Sequence, residues 1–128
     1  AIKATSTRAA RARISTISAG LLKMAYDSSN IFAKILRGEI PCTSVYEDDV
    51  ALAFHDIAPH APVHVLVIPK GEYTSMDDFA ANAPPETVGK FFQAVRHVAK
   101  SLGLDVTGYR ILSNHGADAA QTVPHCHV

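Results

Sequence analysis

The run Val63-His64-Val65-Leu66-Val67-Ile68 constrains the fold of this chain more than any other segment. In a strand, successive side chains point to opposite faces. Apolar residues at both odd and even positions therefore need cover on both sides, and the run is expected to be a central strand. One long helix is available to cover it. From Pro85 to about Leu102, Val88, Phe91, Phe92, Val95, Val98, Ala99 and Leu102 recur at three- and four-residue steps on one face. Gly103 and Gly108 bracket its exit.

Shorter elements surround this pair. Asn30 can cap a helix over Ile31-Phe32-Ala33-Lys34-Ile35-Leu36-Arg37, which Gly38 ends and Pro41 keeps ended. Val45-Tyr46-Glu47 and Val50 to His55 suggest a hairpin turning at Asp48-Asp49. Ile57 to Pro62, with two prolines, is expected to be a loop, and Met76 to Phe79 a helical turn. Tyr109 to Asn114 and Val123 to Val128 are the last two expected strands. Hairpin strands with a few helices imply an α+β architecture on an antiparallel sheet, without internal repeat or second domain.

A chain of 128 residues is one domain's worth and can bury a core without disulfide or metal support. Its two cysteines, Cys42 and Cys126, lie at no metal-like spacing and point to a reducing compartment. No apolar run approaches the ~20 residues that span a bilayer. The zero net charge hides an asymmetry: residues 1–24 carry Lys3, Arg8, Arg11, Arg13 and Lys23 and no acid, so the remainder is acidic. That remainder offers no basic surface for nucleic acid. The acid-free leader, rich in Ser, Thr, Ala and Arg, has the composition of a mitochondrial transit peptide. A basic extension without address function, on a cytoplasmic protein, has the same composition.

Candidate chemistry gathers at the final residues, Val123-Pro124-His125-Cys126-His127-Val128. In extended backbone His125 and His127 share one face, and Cys126 and Val128 take the other. Two imidazoles on one rigid strand suit phosphate chemistry, because neutral imidazole is nucleophilic near neutral pH. Cys126 points away, so one metal ion cannot use all three side chains. His125, His127 and His64 as three nitrogen ligands for zinc remain an alternative. His64 alone is as readily a hydrogen-bonded core histidine. Asp56 can serve a ligand hydroxyl or form a turn. The small-residue loop Gly116 to Thr122 permits close approach of a phosphate to backbone.

Together these positions resemble the histidine-triad (HIT) family, and within it the Hint branch. The resemblance runs from about Ile31 to Val128 and rests on four blocks in order. These are Ile31-Phe32-Ala33-Lys34-Ile35 with Gly38-Glu39-Ile40-Pro41; Phe54-His55-Asp56-Ile57 with Ala61-Pro62-Val63-His64; Val67-Ile68-Pro69-Lys70; and Gln121 to Val128. It implies a five-stranded antiparallel sheet with one long and one short helix, dimerising into a ten-stranded sheet. It also implies hydrolysis of purine nucleoside 5′-phosphoramidates without a cofactor or metal, through a nucleotidyl adduct on the middle histidine, here His127. His125 would orient His127, and His64 would join the cluster. Ile31, Phe32, Ile35, Phe54 and Ile57 would line the nucleoside slot, Asp56 would accept from the ribose, and Asn114, Gln121 and Thr122 would contact the phosphate or leaving group. The implied partners are a purine nucleotide and a second copy of the chain.

The sequence also departs from that pattern. The third histidine of the triad has no place before the sequence stops at Val128, so the natural chain is expected to continue. Where some relatives bind structural zinc this chain has Asn30, Ala33 and Glu72, so no such zinc is expected. Ala119 and Ala120 stand where relatives often carry glycine. Two other readings share the motif: a dinucleoside polyphosphate hydrolase or nucleotidyl transferase, and a non-catalytic nucleotide-binding scaffold.

Overall fold

The computed structural model describes residues 26–128, so the basic leader lies outside the described residues. Among them the chain begins with an anchored turn. Asn30 keeps extended backbone and its side chain accepts from the Ala33 amide, capping helix α1 (Ile31–Leu36). The Asn30 side chain also donates to the Asp27 carbonyl at 2.6 Å, and the Arg37 guanidinium donates to the Ser28 carbonyl at 2.7 Å. The segment before α1 is thereby tied to both ends of that helix.

Three antiparallel strands follow in the order β1 (Ser44–Glu47), β2 (Ala51–His55) and β3 (Val65–Pro69). The β1–β2 turn is held by Asp48, whose Oδ1 accepts from the Val50 and Ala51 amides, each at 2.8 Å. Ala53 faces Val67 and Leu52 faces Ile68 across β2 and β3. Alternation along these strands then divides the interior in two. Ala51, Ala53 and Val67 join Phe79, Phe91, Ala94, Val95, Val98 and Cys126 on one face. Leu52, Phe54 and Ile68 join Phe32 of α1 on the other. The double cover expected for Val63 to Ile68 is present, but β3 starts at Val65 because His64 is engaged by the preceding loop.

The main core is closed by α2 (Met76–Asn82), capped by Ser75, and by α3 (Pro85–Ser101). Phe79 and Phe91, both fully buried, meet edge to face with ring centroids 5.1 Å apart. A short α4 (Leu104–Thr107) and a 3-10 turn (Ala117–Ala119) complete the helices among the described residues, which exceed the one long and one short expected.

The sheet is also smaller than expected, with three strands among the described residues and β2 at its centre. Tyr109 to Asn114 forms no strand there, and Val123 to Val128 pairs only at its last residue. The His125 amide turns back onto the Val123 carbonyl at 2.8 Å and the Cys126 amide goes to Tyr73. These bonds take the donors a ladder would use. Of this segment's backbone only that of Val128 pairs with β3, exchanging both hydrogen bonds with Val67 at 3.0 Å, as in a closely bonded antiparallel pair.

Gly103 ends α3 in the left-handed region at φ +73°, where an added Cβ would meet nothing within 4 Å. Gly103→Ala should therefore carry a purely conformational cost of about 1–2 kcal/mol. A urea titration should show it as a lower midpoint with unchanged slope.

Candidate functional site

The site is built around the way the last residues are clamped. Gln121 braces their approach: its Oε1 accepts from the Gly116 amide at 2.9 Å, and its Nε2 donates to the carbonyls of Thr74 (2.6 Å) and Val123 (2.9 Å). Beyond it, the Cys126 amide donates to the Tyr73 carbonyl at 2.7 Å. Cys126 then points into the main core, 1% exposed, where burial pushes its thiol up to about 12. His125 and His127 turn the opposite way and meet Phe32 edge to face, at centroid distances of 6.2 and 5.0 Å.

Each imidazole is held in one tautomer. The Nε2 of His125 lies 3.1 Å from the Pro69 carbonyl, which can only accept, so Nε2 carries the proton. Its Nδ1 is then the acceptor for the Tyr26 hydroxyl at 2.7 Å. Burial holds this ring below the ordinary histidine range, against the opposing pull of the Pro69 carbonyl, and the nearby His127 lowers it further. His125 is therefore neutral at neutral pH. In His127, Nδ1 lies 2.8 Å from the carbonyl of His125 and must carry the proton. The neutral ring keeps its lone pair on Nε2. The His127 carbonyl accepts from the Ser113 hydroxyl at 2.8 Å, which fixes the backbone on the far side of the residue.

His64 is held elsewhere. Its Nδ1 accepts from the His60 amide at 3.0 Å and its Nε2 lies 3.3 Å from Asp56 Oδ2. Asp56 Oδ1 accepts from the Ala58 amide at 2.9 Å, so both side chains close the loop between β2 and β3. The slot residues divide similarly. Phe32, Phe54 and Ile35 pack together beside the histidine pair, whereas Ile31 and Ile57 are exposed, Ile57 almost wholly. Asn114 and Thr122 are exposed, while Gln121 spends its amide on the brace. No three His, Cys, Asp or Glu side chains converge as a metal site among the described residues.

Sequence reasoning missed Tyr26, Ser113, and the carbonyls of Pro69 and Tyr73. Backbone acceptors leave no signal in side-chain identity. Tyr26 lies ahead of α1 in no recognisable motif; its only cue is the following Asp27 and Asn30, which anchor the turn.

Two outcomes follow from the buried pair. The unfolded chain takes up a proton near pH ~6.5 that folded His125 refuses, so its contribution to stability is present above that value and lost as pH falls toward the lowered folded pKa. The Tm should fall on acidification from about pH 7.5 to about 5.5, and His125→Gln should flatten that limb in calorimetry. A thiol reagent at about pH 8 should label exposed Cys42 and spare Cys126 until the protein unfolds, as read by mass spectrometry.

Comparison with known proteins bears on the family. A family model described as the HIT domain matches residues 37–128. The chain is 58% identical over 103 residues to a HIT-like protein of Azospirillum brasilense, covering 80% of this chain and 84% of that one. It is 44% identical over 102 residues to a HIT-like protein of Rickettsia prowazekii, covering 80% and 85%. Among solved structures, a HIT family hydrolase from Clostridium thermocellum superposes with a TM-score of 0.72 at 39% identity, over 79% of this chain and 87% of that one. A histidine triad nucleotide-binding protein from Candida albicans gives 0.70 at 35% identity, over 77% and 71%. The matched domain and these identities establish that the chain belongs to the histidine-triad family.

Proposed function

We propose that the chain is a nucleotide-binding hydrolase that cleaves purine nucleoside 5′-phosphoramidates through a covalent nucleotidyl-histidine at His127. The observation that carries this reading is the His127 tautomer. Its Nδ1 proton is committed to the His125 carbonyl, so the lone pair of the neutral ring is on Nε2. That nitrogen attacks the α-phosphorus. The phosphorus–nitrogen bond of the substrate breaks, and the amine leaves with the electron pair and takes a proton from water, which the water consumed in the second step restores. Water then attacks phosphorus, releasing the nucleoside 5′-monophosphate and returning neutral imidazole. As the ring bonds to phosphorus it becomes cationic, and the His125 carbonyl stabilises that charge through the Nδ1–H bond.

The names of the solved neighbours, a HIT family hydrolase and a histidine triad nucleotide-binding protein, support hydrolysis and nucleotide binding. The apolar wall of Phe32, Phe54 and Ile35 suits a nucleoside base, with Ile31 and Ile57 at its rim. Asp56 is the ribose acceptor in this reading, reached by exchanging its long contact with His64 for a hydroxyl. His64 is then a loop clamp for that acceptor, and Asn114 and Thr122 are the exposed polar groups for phosphate or leaving group. The chain pairs with a second copy through Tyr109, Ile111, Leu112 and Phe92, which expose large apolar surfaces that a twofold interface would bury.

Incubation with a purine phosphoramidate should give an adduct whose mass is that of the chain plus a nucleotidyl group. His127→Ala should abolish it and lower turnover by roughly 10³-fold or more, whereas Cys126→Ala should retain both. Turnover of a dinucleoside polyphosphate alone would reject the phosphoramidate reading, and absence of both adduct and turnover would reject catalysis. Sedimentation should give a dimer for the parent chain and a monomer for Leu112→Glu; a monomeric parent would overturn the pairing.

A further inference from the structure

We infer that Tyr26 is a positioning residue for the histidine pair: its hydroxyl fixes the His125 ring, and through the His125 backbone it holds His127 with Nε2 bare. The inference rests on the nucleophilic role proposed for His127. Tyr26 precedes residue 37, where the family-model match begins.

The contacts form a continuous chain. Tyr26 O–H donates to His125 Nδ1 at 2.7 Å, and the two rings meet edge to face with centroids 5.8 Å apart. On its other side His125 donates from Nε2 to the Pro69 carbonyl of β3. The ring is thus gripped at both nitrogens, which fixes its χ angles and with them the peptide that follows. That peptide's carbonyl is the acceptor for His127 Nδ1. A phenol is well matched to this place. A carboxylate opposite Nδ1 would favour the imidazolium, whereas a phenol donates to the neutral ring and leaves it neutral. Burial raises the Tyr26 hydroxyl above its ordinary value, so the donor keeps its proton throughout the neutral range.

Tyr26 is itself held in place. The Asp27 carbonyl accepts from the Asn30 amide at 3.1 Å and from its side chain at 2.6 Å, while Arg37 donates to the Ser28 carbonyl. Without the hydroxyl, Nδ1 of a fully buried ring loses its partner. His125 is then free to take the other tautomer or to reorient, and the carbonyl under His127 shifts with it.

The test uses the full chain with 15N-labelled histidine and the variant Tyr26→Phe, which keeps the ring and removes only the donor. In the parent protein, long-range nitrogen–proton spectra should show His125 as Nε2–H with a hydrogen-bonded Nδ1, and His127 as Nδ1–H. In Tyr26→Phe the His125 Nδ1 resonance should move to that of an unpartnered imine nitrogen and His127 should show mixed tautomers. The kcat for a purine phosphoramidate should fall about 5- to 20-fold with KM within about twofold. Asp27→Ala, which removes the side chain that accepts from Ser29, should lower Tm while leaving the His125 resonance and kcat nearly unchanged. Unchanged histidine resonances in Tyr26→Phe, or equal spectral changes in Asp27→Ala, would overturn the inference. A parent protein with the stated tautomers but no turnover would instead sink the phosphoramidase reading, and the spectra of Tyr26→Phe would still decide the role of Tyr26.

Discussion

Burial of the Cys126 side chain decides which way the two imidazoles point. Its amide is bonded to Tyr73 and its thiol is sealed against the main core, so the residues on either side are turned toward Phe32. The thiol contributes packing rather than chemistry, because burial keeps it protonated. Once the pair faces Phe32, hydrogen bonds that can run in only one direction do the rest. Two carbonyl acceptors assign a proton to one nitrogen of each ring, and they assign it to opposite nitrogens: Nε2 in His125 and Nδ1 in His127. Chemically identical side chains two residues apart thus carry their lone pairs on opposite nitrogens.

That arrangement depends on a sheet with two covered faces. Val67 serves the main core and, through its backbone, receives Val128; Ile68 serves the smaller core beneath Phe32. β3 therefore supplies the floor of the site on one face and a core wall on the other. The next residue, Pro69, has no amide proton, and its carbonyl is spent on His125.

Much of this was legible in the residues. The two-sided apolar run, the amphipathic stripe from Val88 to Leu102, the Asn30 cap and the alternation about Cys126 all express local periodicity or local hydrogen bonding, which sequence records directly. The two final strands were not legible in the same sense. Tyr109 to Asn114 and Val123 to Val128 have strand-like composition, but a strand exists only by pairing, and pairing is a property of the neighbour. Here the neighbouring donors are diverted, that of His125 to Val123 and that of Cys126 to Tyr73. His64 shows the same limit for the site. Its sequence position suits a partner of the pair, yet the amide of His60 and the carboxylate of Asp56 claim both its nitrogens. Tyr26 lies at the opposite extreme, invisible by motif because its importance comes from a contact spanning most of the chain.

Thr74 joins two regions through a single residue. Its amide donates to the Asp78 carboxylate at 2.9 Å, within the first turn of α2, while its carbonyl accepts from Gln121 at 2.6 Å. The loop leading to the histidines is therefore moored to the start of a seven-residue helix that packs on the opposite face of the sheet. If α2 frays, the mooring slackens, and Gly116, whose amide is held by the same glutamine, is released with it. Fraying of a helix that contributes no side chain to the site is in this way felt in the loop that leads to the histidines, and amide exchange at Gly116 is the gauge on which it can be read.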